Sequence, residues 1–275
     1  MASYKRVDGA ALVTGSGSGM GRAVSVVLSV AGITRLYLTD LNRTGLEETK
    51  STITSLNLPS PPTISLIPGD ISSPAFISSL FSQIPQLDYA VNCAGIMGET
   101  ALTTEATLEG FDKLNAVNYR GLWMCVKEEL KLMLKNDITP YTGFTFSPSE
   151  SQRRGQRGSI INIASQLGLV GKTQAAIYTA TKAAVLSLTR SDAIDYSGPP
   201  HHIRINSVCP GVIETPLTMN SYEGTDGLEK AVGLTPMGRI GLPSEVADTV
   251  VWLCSGESSF VTGSGVVVDG GYVIH

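Results

Sequence analysis

The chain has 275 residues, 42% of them hydrophobic, and a formal net charge of −4. This length suits one large α/β domain or two small ones, and the apolar content excludes a disordered chain. With 24 acidic against 20 basic residues and no basic stripe, the sequence argues against nucleic-acid or anionic-membrane partners. No apolar run approaches the roughly 20 residues that a membrane helix needs, so we expect no membrane span.

Apolar runs of strand length alternate with helix-length periodic segments along the chain. The predicted strands are Ala10–Val13, Thr34–Leu38, Thr63–Ile67, Leu87–Val91, Ser159–Ile163, Ile203–Val208 and Gly265–Val268. The predicted helices are Met20–Ala31, Thr44–Leu56, Pro74–Ile84, Thr107–Val117, Gly121–Lys135, Gln174–Tyr196 and Ser244–Cys254. Alternation with short joins predicts a single α/β domain, residues 1–275, whose parallel sheet is covered by helices on both faces.

Two segments interrupt this alternation. Residues 136–158 contain two prolines, three glycines and three arginines, and predict a mobile surface loop whose arginines keep it solvated. That insertion could shield a site, contact a neighbouring subunit, or do neither. Residues 213–241 are rich in glycine and proline, which predicts a hinged flap.

The cysteines and the N-terminus indicate the compartment. The four cysteines are Cys93, Cys125, Cys209 and Cys254. They are scattered and have no histidine at ligand spacing, so we expect neither a metal site nor disulfides. Free thiols are typical of a reducing compartment. Lys5 and Arg6 are followed at once by Asp8 and Gly9, which leaves no signal-peptide core, so the sequence predicts a cytoplasmic protein.

A glycine-rich turn joins the first predicted strand to the first predicted helix. The usable spacing is Gly15-xxx-Gly19-x-Gly21, and Ser18 and Met20 lie inside it. Glycines let the backbone approach a pyrophosphate, and the amides at a helix N-terminus favour the negative charge. A flexible turn without a ligand is the plain alternative.

Asp40 follows the second predicted strand, nineteen residues beyond Gly21. A carboxylate at this place can accept hydrogen bonds from ribose hydroxyls and repels a 2′-phosphate. The sequence therefore favours NAD over NADP, although Arg43 lies close by. The alternative role for Asp40 is a helix N-cap.

Polar and small residues also follow the third and fourth strands. Asp70 and Ile71 come after the third strand, where the carboxylate could meet an adenine amino group or cap the next helix. Asn92, Ala94 and Gly95 come after the fourth strand. Because ligands collect at the carboxyl edge of a parallel sheet, we expect all five residues to contact a cofactor.

A group of side chains with acid–base character follows. Tyr178 and Lys182 are four residues apart on one predicted helix, so they share a face. A phenol titrates near 10, and a nearby ammonium favours the phenolate. Ser165 follows the fifth strand and could donate to a substrate oxygen. Asn118 interrupts a helical pattern, where it could hold a water or mark a kink.

Together these motifs resemble the classical short-chain dehydrogenase/reductase family over essentially the whole chain. The matching residues are Thr14-Gly-xxx-Gly19-x-Gly21, Asp70, Asn92-x-Ala94-Gly95, Asn118, Ser165, Tyr178-xxx-Lys182, and Pro210-Gly211 with Thr215 beyond. The resemblance implies a Rossmann-type, doubly wound sheet of about seven parallel strands that binds a nicotinamide cofactor. The insertion at 136–158 departs from the family pattern and resembles loops in fungal secondary-metabolism members.

The resemblance also implies roles. Tyr178 is the expected acid–base group, Lys182 binds the nicotinamide ribose, Ser165 orients the substrate oxygen and Asn118 completes a water relay. The nicotinamide carboxamide is expected near Pro210, Gly211, Val212 and Thr215. Family members are commonly tetramers, so we expect a homo-oligomer, a tetramer or a dimer, built through 121–135, 174–196 and 265–274.

The apolar residues near the predicted sheet edge indicate the substrate. Leu167, Leu217 and Met219, together with Ser165 and Tyr178, are the predicted substrate contacts, which favours a bulky hydrophobic terpenoid, steroid-like or polyketide molecule. The leading hypothesis is NAD(H)-dependent interconversion of a secondary alcohol and a ketone in secondary metabolism. The alternatives are a lyase, isomerase or cyclase in the same pocket, and a nucleotide-sensing protein without chemistry.

Overall fold

The computed structural model describes residues 7–224 and 226–274. Lys5 and Arg6, which entered the prediction about the N-terminus, lie outside these ranges. Within the described ranges, no helix combines the length and apolarity that a membrane span requires.

Seven strands form one sheet. They are β1 (Ala10–Thr14), β2 (Arg35–Thr39), β3 (Thr63–Leu66), β4 (Tyr89–Asn92), β5 (Gly158–Ile163), β6 (Ile203–Pro210) and β7 (Gly265–Val268). All neighbours pair in parallel, in the order β3-β2-β1-β4-β5-β6-β7. This confirms the predicted doubly wound parallel sheet. The strand order reverses between β1 and β4, which is where ligands bind in open α/β sheets.

The helices cover both faces of the sheet. They are α1 (Gly19–Ala31), α2 (Arg43–Ser55), α3 (Pro74–Ser82), α4 (Leu108–Asn115), α5 (Leu122–Met133), α6 (Pro148–Arg153), α7 (Ala176–Tyr196), α8 (Pro216–Tyr222), α9 (Gly227–Gly233) and α10 (Pro243–Cys254). Local chemistry sets several starts: the side chains of Asn42, Ser73 and Thr107 each accept a hydrogen bond from the first turn of the helix that follows.

Two apolar layers hold the sheet between its helices. Leu12 packs in the layer that includes α3, α5 and α7, and its neighbour Val13 packs in the opposite layer with α1, α2 and α10. Both side chains are fully buried, as alternation on a doubly covered strand requires. Each such side chain contributes about 1.5–3 kcal/mol of transfer free energy.

The two helices predicted at 107–117 and 121–135 form one continuous run. α4 leads into a π-helical turn at Ala116–Gly121, and α5 follows directly. π-Helical turns inside α-helices are frequently found at functional sites. Asn118, the residue that interrupts the sequence pattern, lies in this turn.

The insertion is a largely irregular segment that contains one short helix and one backbone bridge. Residues Thr139 and Gln156 form an antiparallel bridge, and α6 lies between them. The insertion packs beside Asp88, just before β4, and Gly158 at the start of β5, around a cavity of about 240 Å³. It therefore lies at the amino edge of the sheet, away from the carboxyl edge.

Two of the three arginines of the insertion, Arg154 and Arg157, hold it in place instead of only solvating it. Arg154 donates from Nε to Ser259 Oγ (3.0 Å) and from Nη2 to the Gly256 carbonyl (2.9 Å). Its guanidinium lies 3.7 Å from the ring centroid of Tyr141. Arg157 donates to the carbonyl of Asn136. These contacts tie the segment to the loop after α10 and to its own first residue.

Residues 213–241 contain α8 and α9, and Thr225 lies outside the described residues. The two ends of the segment meet in a parallel bridge between Ile213 and Gly241. The Gly241 amide donates to Val212 O and the Glu214 amide donates to Gly241 O, both at 2.9 Å. The segment therefore leaves the sheet and returns to it at one place.

Candidate active site

A cavity of about 380 Å³ lies at the carboxyl ends of β1, β2 and β4. Of the predicted site residues, it brings together Gly15, Ser18, Gly19, Met20, Gly21, Asp40, Asp70, Ile71, Ala94, Gly95, Thr215 and Leu217. Residues of its lining that sequence reasoning did not select are Thr39, Leu41, Gly69, Cys93, Val117, Pro216 and Asn220. Most of these are apolar or small and carry no signal beyond their position after a strand.

The glycine turn needs each of its motif glycines for a different reason. Gly15 has φ +67°, and a Cβ there would lie 2.7 Å from the backbone of Ala94. Gly19 has φ +48°, and its Cβ would lie 3.1 Å from Thr215. A Cβ on Gly21 would overlap the carbonyl oxygen of Gly15. Any side chain would therefore fill or distort the turn.

The N-terminus of α1 lies at this cavity and fits an anionic ligand. The side chain of the N-cap residue Ser18 makes no capping hydrogen bond within the described residues. The first turn of α1 contains no acidic residue. The first amides of a helix have no intrahelical partner and carry the positive end of the helix dipole. A pyrophosphate would satisfy them, so the residues present fit a dinucleotide.

Asp40 connects the glycine turn to β2. Its Oδ2 accepts from the Gly17 amide (2.9 Å) and its Oδ1 accepts from the Asn42 amide (2.8 Å). The N-cap of α2 is Asn42, whose Oδ1 accepts from Gly45 N at 3.0 Å, so the alternative of Asp40 as the helix cap is wrong. The carboxylate also lines the cavity, where it presents negative charge to a ligand.

Asp70 has a local role beside its place in the cavity. Its Oδ1 accepts from the Ser72 amide at 2.8 Å. The cap of α3 is provided by Ser73, whose hydroxyl accepts from Phe76 N at 3.3 Å. Asp70 therefore shapes the turn after β3 and lines the cavity there, while Ser73 caps the helix.

Asn92 does not line the cavity, in contrast to the prediction that it contacts a cofactor. Its Nδ2 donates to Glu129 Oε2 and to Asn162 Oδ1, each at 3.0 Å. The side chain is almost fully buried in the layer below the site. The physical reason is strand alternation, which directs the last side chain of β4 into the helix layer.

Thr14 is a structural residue of the site whose role was not predicted. Its buried hydroxyl accepts from the amides of Cys93 and Ala94, each at 3.1 Å. The bonds join the carboxyl ends of β1 and β4 at the point where the strand order reverses. A threonine before the glycine turn is the signal in the sequence, but its partners are about eighty residues away.

Asn118 and Lys182 converge on Gly95. Asn118 Oδ1 accepts from the Ile96 amide (2.8 Å), and its Nδ2 donates to the Ile96 carbonyl (3.0 Å). A Cβ on Gly95 would lie 3.4 Å from Asn118 Oδ1 and 3.6 Å from Lys182 Nζ. The π-helical turn thus fixes the loop after β4 beside the lysine.

Lys182 is buried and is held by backbone. Its Nζ donates to the carbonyl of Ile163, the last residue of β5, at 2.9 Å. The same nitrogen lies 5.9 Å from the ring centroid of Tyr178. Burial lowers the pKa of Lys182 to about 8.

Tyr178 and Ser165 form the remaining pair. Burial raises the pKa of Tyr178, and a hydrogen bond with Ser165 opposes part of that rise. This differs from the expectation of a phenol pKa lowered by Lys182, because desolvation is the larger effect and the ammonium is bonded to Ile163 O. The Ser165 hydroxyl itself accepts from Leu167 N at 3.1 Å.

The residues after β6 divide between two places. Thr215 lines the cavity and caps α8 by accepting from Thr218 N at 3.2 Å. Gly211 pairs with β7 by donating to Val268 O at 2.9 Å. Val212 lines a second cavity of about 300 Å³, together with Thr235 and Met237. Pro210 ends β6, beyond the lining of the first cavity.

Of the predicted substrate contacts, Leu217 lines the first cavity and is 42% exposed. Met219 is 39% exposed on α8, and Leu167 lies in the short turn that follows Ser165. Among the residues with described positions, no group of three or more His, Cys, Asp or Glu side chains could hold a metal ion.

Comparisons with known proteins agree with this geometry. A family model described as Enoyl-(Acyl carrier protein) reductase matches residues 15–273. The chain is similar to the short-chain dehydrogenase fogB of Aspergillus ruber, with 36% identity over 96% of this chain and 97% of the relative.

Solved structures are similar as well. The crystal structure of levodione reductase has a TM-score of 0.80 and 30% identity, covering 95% of this chain and 96% of that one. A structure from Agrobacterium tumefaciens with bound NADP, described as a 2-deoxy-d-gluconate 3-dehydrogenase, has a TM-score of 0.82 and 25% identity over the full length of both chains. With the parallel sheet, the glycine turn and these relatives together, the chain belongs to the short-chain dehydrogenase/reductase family.

Proposed function

We propose that the protein is an NAD(H)-dependent oxidoreductase that interconverts a secondary alcohol and a ketone on a bulky hydrophobic small molecule. The observation that carries the proposal is the buried cluster of Ser165, Tyr178 and Lys182, whose lysine Nζ lies beside Gly95 of the cavity lining. Hydroxyl-directed oxidoreduction is the activity of the family.

A bound nicotinamide would supply the redox chemistry by exchanging a hydride with the substrate carbon. In the oxidative direction, the Tyr178 phenolate takes the hydroxyl proton and becomes a neutral phenol, and in the reductive direction the neutral phenol returns that proton. Ser165 donates a hydrogen bond to the substrate oxygen and stabilises the negative charge that develops on it. These two hydroxyls already interact, so a substrate oxygen between them is positioned by both.

Lys182 and Asn118 support the proton transfer. Protonated Lys182 holds positive charge near the Tyr178 ring and lowers the free energy of the phenolate. Because burial brings the pKa of Lys182 to about 8, this group can also pass a proton near neutral pH. Asn118 keeps the loop at Ile96 in place, and Lys182 Nζ lies behind Gly95 of the cavity lining without lining the cavity itself.

The preference for NAD rests on Asp40. Its carboxylate lies in the cavity beside the glycine turn, where an adenosine ribose would place its hydroxyls. A 2′-phosphate there would be repelled by the Asp40 carboxylate, which accepts from two neutral backbone amides and keeps its negative charge. One structural neighbour contains bound NADP, so the preference for NAD in this chain depends on Asp40.

The proposal of a bulky hydrophobic substrate rests on exposed apolar side chains of residues 213–241, of which Leu217 lines the first cavity and Met237 lines the second. Leu217 and Met219 are partly exposed on α8, and Met237, in the same segment, is 68% exposed. We propose that residues 213–241 form a substrate-binding flap of this one-domain enzyme, hinged at the Ile213–Gly241 bridge. The similarity to fungal short-chain dehydrogenases supports a role in secondary metabolism.

The proposal includes a cytoplasmic homo-oligomer. Each predicted interface segment presents a large exposed apolar side chain: Trp123 on α5, Ile194 on α7 and Ile274 after β7. In such an oligomer these side chains would be covered by another subunit. The four cysteines are free thiols, which fit a reducing compartment.

The test is a panel of bulky secondary alcohols and ketones assayed with NAD(H) and with NADP(H). We expect NAD-dependent turnover in the wild type. In Tyr178→Phe this turnover should fall by about 10²–10⁴-fold, the typical contribution of a positioned acid–base group. NADH binding, measured by fluorescence titration, should be nearly unchanged.

The matched control is Tyr196→Phe at the far end of the same helix, which should keep wild-type turnover. Unchanged turnover in Tyr178→Phe would contradict the mechanism. Binding of NADH with no turnover across the panel would instead favour a nucleotide sensor. Product formation without net change in NADH would favour a lyase, isomerase or cyclase.

A further inference from the structure

A row of buried polar side chains crosses the sheet just below the candidate site. Asn92 on β4 is the register partner of Asn162 on β5, which is the partner of Ser207 on β6. All three side chains are buried, at 2% exposure or less. Buried polar groups are costly unless they are hydrogen-bonded, so the bonds of this row can be followed atom by atom.

The row continues into the helices on one face. Asn162 Nδ2 donates to Thr189 Oγ1 on α7 (3.0 Å), and Thr189 shares a hydrogen bond with Ser207 (2.7 Å). At the other end, Asn92 Nδ2 donates to Asn162 Oδ1 and to Glu129 Oε2 on α5, each at 3.0 Å. Both N–H groups of the Asn92 amide are therefore used.

Two oxygen atoms remain at the Glu129 end. Among the described residues, neither Glu129 Oε1 nor Asn92 Oδ1 has a hydrogen-bond partner, and both atoms are buried. They belong to the two side chains that the Nδ2–Oε2 bond already joins. Each of these two oxygens is an acceptor without a donor. One additional proton on the carboxylate would supply a donor, because a protonated carboxyl carries an O–H group.

We propose that Glu129 is a neutral carboxylic acid in the folded protein, that its Oε1–H donates to Asn92 Oδ1, and that the resulting acid–amide pair positions the end of β4 beneath the active site. With the Nδ2–Oε2 bond, the pair has two parallel hydrogen bonds and leaves neither oxygen unpaired. No external reactant is involved, because the proton comes from solvent during folding.

The surroundings of Glu129 favour the neutral form. Burial raises the pKa of Glu129 to about 8, and the bond from Asn92 opposes only part of that rise. The titratable group beside it is the Cys125 thiol, one turn earlier on α5, whose own pKa is raised. The packed helix α3 contains no titratable residue, and α7 contributes Thr189 to the row. Lys182, on α7, is bonded to Ile163 O.

The two side chains of the acid–amide pair lie on elements that also position the catalytic groups. Asn92 is the last residue of β4 and precedes the loop that contains Gly95. Glu129 lies on α5, which continues directly from the turn that contains Asn118. Through Asn162 and Thr189 the row reaches β5, which leads to Ser165, and α7. Glu129 therefore acts as a positioning residue, and only this catalytic consequence rests on the proposed function.

The experiment compares wild type with Glu129→Gln and Glu128→Gln. A glutamine amide can donate to Asn92 Oδ1 and accept from Asn92 Nδ2, so it reproduces the neutral acid at every pH. Glu128 immediately precedes Glu129 on α5 and forms an ion pair with Lys131 at the surface, so it is the matched control.

The sign of the pH effect follows from proton binding. Between about pH 4.5 and about pH 8 the unfolded chain has lost the Glu129 proton and the folded chain keeps it, so stability falls as pH rises. In urea titrations we expect the folding constant of wild type, relative to that of Glu129→Gln, to fall by up to about tenfold per pH unit in this window. Glu128→Gln should keep the wild-type slope.

Two further readouts separate the outcomes. The infrared carbonyl band of a protonated carboxyl should be present in wild type at pH 7 and lost in Glu129→Gln.

Glu129→Leu, which removes both bonds, should lower kcat at least about tenfold with little change in substrate KM, and Glu129→Gln should restore kcat to within about twofold. Equal pH slopes with no such band would overturn the proposal, and wild-type kcat in Glu129→Leu would overturn the positioning role. If no substrate is found, the slope and the band still decide the protonation state.

Discussion

The polar groups at the two edges of the sheet differ in their hydrogen-bond partners. At the amino edge, the polar groups bond to one another: Asp88 accepts from the Ala10 amide (2.8 Å), and Asn136 donates to the carbonyls of Leu87 (2.7 Å) and Arg157 (2.9 Å). At the carboxyl edge, α1 begins without a side-chain cap within the described residues. One edge is closed by internal hydrogen bonds, and the other has donors available to a ligand.

This difference teaches where function and stability lie in the molecule. The insertion of residues 136–158 adds structure to the closed edge, where Arg154 fastens it to the loop after α10. At the open edge, glycines leave the space beside α1 free of side chains. Changes at the open edge should therefore affect ligand binding and turnover, and changes at the closed edge should affect the free energy of unfolding.

The largest effect at the open edge is expected from Gly15→Ala. The left-handed backbone costs an L-residue roughly 1–2 kcal/mol, and the new Cβ would lie 2.7 Å from the backbone of Ala94. We expect the Kd for NADH to rise at least about tenfold, measured by fluorescence titration, with folding checked by circular dichroism. Gly198→Ala, at an exposed position with no atom within 4 Å of its Cβ, is the control. Unchanged NADH affinity in Gly15→Ala would show that the turn does not hold the dinucleotide.

A smaller effect at the same edge is expected from Asp40→Asn. The amide keeps an acceptor for the Gly17 amide but removes the charge that a 2′-phosphate would meet. At about 4 Å such a charge is worth roughly 1–4 kcal/mol, depending on the effective dielectric constant. We expect the ratio of NADPH to NADH dissociation constants to fall by at least about fivefold. Asp70→Asn, in the same cavity, should leave that ratio unchanged, and tighter binding of NADPH by the wild type would contradict the role given to Asp40.

The smallest effect on turnover is expected at the closed edge. Arg154→Ala removes three hydrogen bonds, one of them the ion pair with Glu150, and the contact with the Tyr141 ring, so we expect a loss of about 1–3 kcal/mol of unfolding free energy. Urea unfolding measures the loss, and kcat should stay within about twofold of wild type. Arg153→Ala, at the exposed neighbouring position, should change neither quantity. A fall in kcat for Arg154→Ala with no loss of stability would show that the two edges are coupled.

Much of the open edge could be predicted from sequence because its signals are local. The spacing of Gly15, Gly19 and Gly21 fixes a turn within seven residues, and Tyr178 and Lys182 share a helix face by their separation of four. Strand–helix alternation likewise predicted the sheet, since each unit is formed by neighbouring residues.

What could not be predicted depends on partners far away in sequence. Asn92 was expected at the cofactor, but its amide bonds to Glu129 and Asn162, thirty-seven and seventy residues away. Arg154 was expected to be solvated, but it bonds to a loop about one hundred residues further along. Composition shows that these residues are polar, and only the packed structure shows whether their partners are water or protein.

The open N-terminus of α1 has a consequence for how the protein responds to its surroundings. Without a capping side chain or an acidic first turn, this helix end is incompletely stabilised until an anion occupies it. A dinucleotide that binds the folded chain alone adds RT ln(1 + [L]/Kd) to stability, about 2.7 kcal/mol at a hundredfold excess over Kd. The melting temperature, and with it the resistance of the enzyme to proteolysis, is then coupled to the supply of nucleotide.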